Sequence, residues 1–305
     1  MSVIEIFKGN GKSGFGYGST AEQVTKDLSL HGKTILVTGI NSGLGYETTR
    51  VLSMRGAQVV GTARTLDKAK SALQNMNGKG LPFECELSEP TSVRTCVENL
   101  KKEGLKFDAI ICNAGIMALP KLKQAHGFEL QFFTNHIGHF IFVTGLLSQL
   151  KDQGRVVMLS SAAHGMAPKG GIDFENLSGE KSYSDWTAYG QSKMANLLFS
   201  KELARRLKGT GKTANAIHPG VIKTNLGRHM NPIARTLFGA VGPLFLKSPE
   251  QGAATQVYAA VHPSVAEVSG AYFADCNVKA PRSDAENPEL ARRLWEKSEE
   301  IVARL

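Results

Sequence analysis

Short runs of apolar residues alternate with amphipathic stretches through most of the chain. These runs are rich in Ile, Leu, Val, Phe and Ala, and they cover residues 34–37, 57–62, 81–87, 107–112, 155–159, 213–217 and 270–274. Strands that are apolar throughout and alternate with helices are typical of a parallel sheet covered on both faces. The pattern therefore predicts the α/β class, with a doubly wound (Rossmann) parallel sheet of about seven strands and helices on both faces.

Capping residues mark several of the predicted helices. Thr65 caps the helix that runs to residue 74, Ser248 with Gln251 forms a capping box, and Asn287 caps the last helix. Ser19 with Glu22 forms a further capping box, which predicts a short helix that ends near residue 28. The longer helices are expected at residues 45–55, 65–74, 90–103, 128–150, 189–207, 248–261 and 288–304.

No internal repeat and no linker divides the chain, so we expect one domain over residues 31–305 behind a lead-in of residues 1–30. The lead-in holds a cluster of glycines around Gly11 that is similar to a phosphate-binding loop. That loop needs a glycine five positions before Gly11, and Ile6 stands there. A flexible lead-in is therefore the expectation.

The segment at residues 225–247 follows the sixth predicted strand and breaks the alternation. Its large apolar residues are Leu226, Met230, Ile233, Leu237, Phe238, Val241, Leu244, Phe245 and Leu246. They either pack on the protein as an amphipathic helix or form a lid over an apolar substrate at the open end of the site. We favour the substrate lid.

The composition, 42% hydrophobic and 21% charged over 305 residues, is that of a globular protein. The four cysteines show no CxxC spacing, which favours reduced thiols in a cytosol. The sequence has no run of about 18 apolar residues and no signal-peptide pattern. We therefore expect a soluble, cytoplasmic protein without a membrane span.

The net charge of +9 raises the question of nucleic acid, but the basic residues are spread along the chain. Because nucleic-acid binding requires clustered positive charge, we expect no nucleic-acid partner. His136 and His139 are three residues apart on a predicted helix, a spacing that also suits metal ligands. No third ligand converges on them in the sequence, so we expect packing or local hydrogen bonds and no metal.

Tyr189 and Lys193 are four residues apart on a predicted helix, and therefore share one face with Cβ atoms about 5–6 Å apart. A neighbouring ammonium stabilises the phenolate and lowers the tyrosine pKa from its ordinary value of about 10. Such a tyrosine serves as a general acid or base. The alternative is an exposed helix face, so the pair gains meaning only beside a cofactor site and a hydroxyl for the substrate.

Glycines follow the first predicted strand with the spacing TGxxxGxG. They allow a pyrophosphate to approach the backbone N–H groups at the start of the next helix. The residues expected to bind the dinucleotide here are Gly39, Asn41, Ser42, Gly43, Leu44 and Gly45. Asn113, Ala114 and Gly115 end the fourth predicted strand at the same edge of the sheet, where small residues admit the cofactor.

Arg64 follows the second predicted strand, where NAD enzymes place a carboxylate on the ribose 2′-hydroxyl. A guanidinium suits a 2′-phosphate, and no carboxylate stands at the end of this strand to repel one. The sequence therefore favours NADP(H). The alternative is that Arg64 only begins a surface loop.

These motifs, in this order, resemble those of the short-chain dehydrogenase/reductase family over roughly residues 30–280. The resemblance rests on the TGxxxGxG turn, Asn113-Ala114-Gly115, Asn135, Ser160-Ser161, and Tyr189 with Lys193. Residues 133–140 and 188–218 are similar to the retinol-dehydrogenase-like branch, which includes the WW-domain oxidoreductases and a chloroplast import-associated reductase. The lead-in at residues 18–22 is similar to the last of these.

The resemblance implies a role for each motif residue. Tyr189 would donate or accept the proton, and Ser161, the serine that closes its pair, would polarise the substrate oxygen. Lys193 would tune Tyr189 and hold the nicotinamide ribose. Asn135 would fix a water that relays protons through Lys193.

The resemblance also implies further cofactor contacts. Glu86 stands where the branch usually has an aspartate against the adenine amine, and Leu87 follows it. The loop after the sixth predicted strand is similar to the family's nicotinamide-side loop, and its expected contacts are Pro219, Gly220, Val221 and Thr224. Tyr189 and Lys193 complete the set.

We therefore expect an NADP(H)-dependent oxidoreductase that interconverts a carbonyl (ketone or aldehyde) and an alcohol on a hydrophobic substrate. The main alternative is a regulatory protein that uses its nucleotide site as a redox sensor, although a sensor has no need of Ser161, Tyr189 and Lys193. An epimerase is a third possibility, but too little chain follows the sixth strand for its larger substrate domain. The resemblance also implies a homodimer or homotetramer, with a four-helix contact made by the helices at residues 128–150 and 189–207.

Overall fold

A computed structural model describes residues 9–74, 76, 80–222 and 246–305. The strands are β1 Thr34–Thr38, β2 Gln58–Ala63, β3 Leu81–Glu84, β4 Phe107–Cys112, β5 Gln124–Ala125, β6 Phe128–Glu129, β7 Leu150–Leu159, β8 Thr213–His218, β9 Tyr272–Ala274 and β10 Asn277–Val278. Strands β5 and β6 form a separate hairpin, and the others form the main sheet. The main sheet has eight strands in the order β10-β9-β8-β7-β4-β1-β2-β3. All neighbours are parallel except β10, which is antiparallel to β9. The predicted α/β Rossmann class is confirmed.

Helices cover both faces of this sheet. They are α1 Ala21–Val24, α2 Gly43–Met54, α3 Leu66–Leu73, α4 Pro90–Lys102, α5 over residues 130–146, α6 Asp185–Arg206, α7 Pro249–Val261 and α8 Pro288–Ala303. One layer contains α1, α2, α3 and α7, and the other contains α4, α5, α6 and α8. In β1, Ile35 and Val37 face the first layer and Leu36 faces the second, and all three are fully buried. This alternation explains why the strands are apolar throughout.

The strand order changes direction between β1 and β4, which lie side by side. Chain connections leave to opposite sides of the sheet at such a point, so a crevice opens at the carboxyl ends of the two strands. Thr38 ends β1 and Cys112 ends β4. The glycine turn and Asn113-Ala114-Gly115 therefore meet at this crevice.

Several predicted boundaries differ from the structure. β3 ends at Glu84 and not at residue 87, β7 begins at Leu150 and not at residue 155, and β9 begins at Tyr272 and not at residue 270. The eighth strand, β10, is a two-residue edge strand. A strand of two residues has no apolar run by which the sequence would reveal it.

The predicted helix at residues 128–150 is wrong at both ends. Phe128 and Glu129 belong to the hairpin strand β6, and α5 begins as a short α-helical turn at Leu130. It continues as a π-helix over Phe133–Ile137 and as an α-helix over Gly138–Leu146. A 3₁₀ turn then leads into β7. The π-helical part contains Asn135, consistent with the tendency of such widened turns to occur at functional sites.

The predicted capping residues are correct for three helices and wrong for one. Thr65, Ser248 and Asn287 cap α3, α7 and α8 with their side chains. The capping box of α1, however, is formed by Thr20 and Gln23, one residue after the predicted pair, and α1 ends at Val24.

Helix α8 packs across α5 and α6. The Trp295 ring stacks on Phe199 of α6 and meets Phe140 of α5 edge-on, with centroid separations of 5.4 and 5.0 Å. Ser298 forms a 2.8 Å hydrogen bond with His136 of α5. These are the helices expected to form the four-helix contact between subunits. Part of their outer face is therefore already covered by a helix of the same chain.

The described part of the lead-in is ordered by contacts and is not the flexible arm that we expected. The backbone of Ser13 donates to the Asn277 side chain at 3.0 Å, and that side chain donates to the Phe15 carbonyl at 3.0 Å. The Phe15 ring packs edge-on against Tyr258 and His262. Residues 9–18 thus form an outer layer over β10 and α7.

Most of the predicted substrate lid lies outside the described residues, which resume at Leu246. Lys247 forms an isolated bridge with Ile222, so the two described ends of that segment lie side by side. The Lys247 ammonium forms a buried ion pair with Asp275 at 2.7 Å and lies 4.6 Å from the Tyr17 ring centroid. Within the described ranges, no helix is long and apolar enough to cross a membrane.

Candidate active site

The glycine turn after β1 has the geometry that its sequence predicts. Gly39 and Gly43 have φ angles of +72° and +54°, a region that favours glycine. A Cβ atom on Gly45 would lie 2.1 Å from the Gly39 carbonyl oxygen, and one on Gly39 would lie 2.9 Å from Ala114 Cβ. Ser42 begins α2, but its side chain makes no capping hydrogen bond. The first N–H groups of α2 are thus left for an anionic ligand.

A cleft of about 310 Å³ opens above this turn. The predicted residues that line it are Gly39, Asn41, Ser42, Gly43, Leu44, Gly45, Arg64, Glu86, Leu87, Asn113, Ala114, Gly115, Tyr189, Lys193 and Pro219. They come from the ends of β1, β2, β3, β4 and β8, from the start of α2 and from α6. A dinucleotide fits this arrangement, because the glycine turn leaves the backbone open and the cleft extends from Arg64 to Tyr189.

The other predicted site residues lie beside or beyond the cleft. Asn135 is buried behind Gly115, where an added Cβ would lie 3.0 Å from the Asn135 Oδ1 atom. Gly220 and Val221 are close in sequence to Pro219 but do not line the cleft. Thr224 lies outside the described residues.

Tyr189 and Lys193 line the inner end of the cleft, and Ser161 lies beside Tyr189 without lining the cleft itself. Tyr189 and Lys193 are on α6, and both are almost fully buried. A side-chain hydrogen bond joins Ser161 and Tyr189. The Lys193 ammonium lies 5.6 Å from the centre of the Tyr189 ring and donates to the Leu159 carbonyl oxygen at 3.1 Å. Tyr189 and Lys193 thus share one face of α6, and that face is buried. The alternative, an exposed helix face, is wrong.

The electrostatics differ from the prediction. Burial raises the pKa of Tyr189 to about 12, and the hydrogen bond from Ser161 opposes this only in part. Burial also lowers the pKa of Lys193 to about 8. Both shifts have the same cause, since a low-dielectric site disfavours the charged form of either group. The expected lowering of the tyrosine pKa is therefore absent from the protein alone, where desolvation outweighs the hydrogen bond from Ser161.

The side chain of Asn135 holds two elements together. Its Oδ1 atom accepts from the Ile116 N–H at 2.8 Å, and its Nδ2 atom donates to the Ile116 carbonyl at 2.9 Å. Nδ2 also donates to the Ser192 hydroxyl, 2.9 Å away on α6 and next to Lys193. Asn135 therefore fixes the loop after β4 relative to the helix that carries Tyr189.

The outer end of the cleft contains the residues expected at the adenosine. One oxygen of Glu86, Oε1, accepts from the Ser88 N–H at 3.1 Å and from its hydroxyl at 2.9 Å. Arg64 is exposed, and no carboxylate forms an ion pair with it among the described residues. A free guanidinium at this place is available to an anionic group of a ligand.

Several residues of the site were missed from the sequence. Thr38, fully buried at the end of β1, accepts from the N–H groups of Asn113 and Ala114 at 3.0 Å each. The additional residues that line the cleft are Thr62, Ala63, Cys85, Ser88, Ile116, Met117, Leu130, Thr134, Leu159 and Ser160. Of these residues, Thr38 could have been found from the sequence, because it is the threonine that directly precedes the glycine turn in the TGxxxGxG pattern.

A larger hollow of about 700 Å³ lies at the opposite end of α6 and contains none of the predicted site residues. Lys201, Glu202, Arg205 and Glu286 line it. These charges pair with one another, as in the 2.8 Å contact of Lys201 with Glu286. The hollow therefore has no dominant charge.

Comparison with known proteins gives the class to which this fold and site correspond. The family profile described as short chain dehydrogenase matches residues 33–233. The chain therefore belongs to the short-chain dehydrogenase family of oxidoreductases, in its retinol-dehydrogenase-like branch. Members of this family use NAD(H) or NADP(H).

Two relatives and one solved structure define the similarity. Retinol dehydrogenase 14 of Mus musculus is 40% identical over 292 residues, which cover 90% of this chain and 86% of the relative. Short-chain dehydrogenase TIC 32 A, chloroplastic, of Brassica napus is 40% identical over 320 residues, covering 100% of both chains. A crystal structure of an uncharacterized protein from Mycobacterium paratuberculosis has a TM-score of 0.76 at 34% identity and covers 94% of this chain and 98% of its own.

Proposed function

We propose that the protein is an NADP(H)-dependent oxidoreductase that interconverts a ketone or aldehyde and the corresponding alcohol on a hydrophobic substrate. The observation that carries the proposal is that Tyr189 and Lys193 line the inner end of the cleft above the glycine turn, with Ser161 hydrogen-bonded to Tyr189. A redox sensor has no need of this arrangement.

Each residue of the site has a role in the proposed reduction. The bound nicotinamide would supply the hydride. The Ser161 oxygen accepts from the Ala163 N–H at 3.2 Å, and its own hydrogen, which bonds towards Tyr189 in the protein alone, would turn to a substrate carbonyl oxygen. Tyr189 is the proposed general acid, and its raised pKa keeps it protonated at neutral pH, ready to donate.

Lys193 and Asn135 complete the proposed proton path. The Lys193 ammonium stabilises the phenolate that forms when Tyr189 gives up its proton. It is also the group through which a replacement proton arrives, from a water held by Asn135. Because Asn135 is bonded to Ser192, directly before Lys193, it also keeps the path aligned.

The preference for NADP(H) rests on Arg64. Its guanidinium is exposed at the outer end of the cleft and is free of ion pairs among the described residues. A charge-assisted hydrogen bond to a 2′-phosphate contributes about 1.5–3 kcal/mol. Arg64→Ala should therefore weaken NADPH binding about tenfold to a hundredfold and change NADH binding little. Lys70→Ala, which removes an exposed cation outside the cleft, is the control, and an equal loss for both nucleotides in Arg64→Ala would contradict the assignment.

The hydrophobic substrate class rests on the surroundings of Tyr189. Ile116, Met117 and Leu130 line the cleft, and the Trp186 ring meets the Tyr189 ring edge-on at 6.2 Å. The composition of the segment at residues 225–247 further supports an apolar lid. Bulky hydrophobic ketones or aldehydes are the proposed substrates.

The test of the function is NADPH oxidation with carbonyl compounds graded in size and polarity. Turnover should increase with apolar size and be abolished by Tyr189→Phe, while the Kd for NADPH stays within about twofold because only the proton donor is removed. Tyr46→Phe is the control, because its hydroxyl has no hydrogen-bond partner among the described residues and lies outside the cleft. Retained turnover in Tyr189→Phe, or a preference for small polar carbonyls, would refute the proposal.

We also propose a cytoplasmic location and association of copies into a dimer or tetramer. The location is supported by the four cysteines, which are buried free thiols. The association is supported by the family resemblance, with the contact made beyond the part of α5 and α6 that α8 covers. Cell fractionation and light scattering at micromolar concentration test these two statements, and a monomeric mass would refute the second.

A further inference from the structure

A chain of buried hydrogen bonds runs beneath the cleft through His139. Thr38, His139 and Asn135 are all fully buried. The Thr38 hydroxyl, which accepts from the N–H groups of Asn113 and Ala114, lies 2.9 Å from Nε2 of His139. The other ring nitrogen, Nδ1, lies 2.9 Å from the Asn135 carbonyl oxygen. One imidazole thus joins the loop after β4 to the residue proposed for the proton relay.

The partners of His139 determine its tautomer. Two N–H donors occupy both lone pairs of the Thr38 hydroxyl, so its hydrogen points to Nε2, which accepts. A carbonyl oxygen only accepts, so Nδ1 carries the ring hydrogen towards Asn135. Burial, and to a smaller extent the charge of Lys193, lowers the pKa of His139 to about 4. The ring is therefore neutral throughout the neutral range and is not itself a proton carrier.

The side chain of Asn135 is occupied by Ile116 and Ser192. The backbone carbonyl of Asn135 accepts one hydrogen bond, from His139, and keeps a second lone pair for a relay water. We propose that His139 is a positioning residue that sets the direction of this carbonyl through Nδ1 and, through Thr38, the position of the loop that begins with Asn113. This inference rests on the proposed function, since it assigns a support to the proposed proton path.

Two substitutions separate the two hydrogen bonds of His139. The amide of His139→Gln reaches Thr38 but provides no donor where Nδ1 stands, whereas His139→Asn keeps a donor towards Asn135 and loses the acceptor for Thr38. The Gln variant should lower kcat about tenfold, as loss of about 1.4 kcal/mol predicts, with an unchanged Kd for NADPH. The Asn variant should keep kcat and weaken NADPH binding, because the Thr38 loop loses its support.

The control is the neighbouring His136, which is also buried and forms one hydrogen bond, to Ser298. His136→Asn and His136→Gln should lower the unfolding temperature, as any buried histidine loss does, without the crossed effect on kcat and Kd. A second measurement needs neither cofactor nor turnover. In protein with ¹⁵N-labelled histidine, the resonances lost in the His139 variants should belong to a neutral Nδ1–H ring from pH 6 to pH 8.5.

Different results decide the role of His139 and the proposed oxidoreductase function. Crossed effects of the two variants, with a neutral Nδ1–H ring, support the positioning role. A ring protonated at Nε2, or two variants that change the same parameter, overturns it. If the wild-type protein binds NADPH and reduces no carbonyl, the proposed function fails, while the tautomer and the Kd values still decide whether His139 supports the loop.

Discussion

The buried ammonium of Lys193 should destabilise the folded protein, although it is the group proposed to stabilise the Tyr189 phenolate during the reaction. Lys193 is almost fully buried, and burial lowers its pKa from 10.5 to about 8. Lys193→Met removes the charge and keeps a side chain of similar length. The Leu159 carbonyl, to which the ammonium donates, still accepts from the Asn196 side chain at 2.9 Å. The substitution therefore leaves no buried carbonyl without a partner, and we expect a gain in stability.

The magnitude follows from the pKa values. A lowering from 10.5 to about 8 corresponds to a penalty of about 3 kcal/mol for holding the proton in the folded state. Because the unfolded chain binds this proton more tightly, the penalty is complete below about pH 8 and disappears as the pH rises to about 10.5. Lys193→Met should thus be about 3 kcal/mol more stable than wild type at pH 7, and this advantage should shrink as the pH rises.

The assay is urea unfolding of both proteins at pH 7, 8.5 and 9.5. The Tyr189 phenol, with its pKa raised to about 12, stays protonated in this range and contributes equally to both. Lys201→Met on the same helix is the control, and it should give no gain because Lys201 is paired with Glu286. A variant less stable than wild type at pH 7, or a gain independent of pH, would refute the argument that burial opposes the charge.

Two further predictions concern packing. Asp275→Asn should cost about 3 kcal/mol in urea unfolding, because it leaves the Lys247 ammonium buried without its carboxylate, and a cost below about 1 kcal/mol would show that the ion pair is dispensable. Trp295→Ala should cost about 3–5 kcal/mol and raise the mass seen by light scattering, because it uncovers Phe140 and Phe199. An unchanged unfolding temperature and mass would contradict the packing role of α8.

The sequence was most informative at positions where the local geometry of the fold admits one kind of residue. The strands were predictable because successive residues such as Ile35 and Leu36 face opposite helix layers, so both faces of a strand are mainly apolar. The glycine turn was predictable because Gly39 and Gly45 occupy places that a Cβ would block. These constraints act locally, and the sequence therefore displays them.

The sequence was least informative where packing between distant elements decides. Residues 128–150 are apolar enough for one helix, but the pattern cannot show that Glu129 accepts from the Phe132 N–H and begins α5 there. Nor does it show the π-helical turn that contains Asn135, or the hydrogen bonds of the Asn135 side chain to Ile116 and Ser192. The acidity of Tyr189 was misjudged for the same reason. Spacing places an ammonium near the phenol, whereas desolvation depends on the surrounding residues.

The adjacent serines at the end of β7 show how the two kinds of information combine. The family's order selects Ser161, and the structure gives the physical reason. Successive side chains of an extended chain point to opposite sides. Ser160 is buried and donates to the Lys193 backbone carbonyl at 2.7 Å, while Lys193 and Asn196 donate to the Leu159 carbonyl. These three bonds fix α6 along β7 and leave the second hydroxyl beside Tyr189. The two serines cannot exchange roles, because the Ser160 side chain faces the Lys193 carbonyl and the Ser161 side chain faces Tyr189.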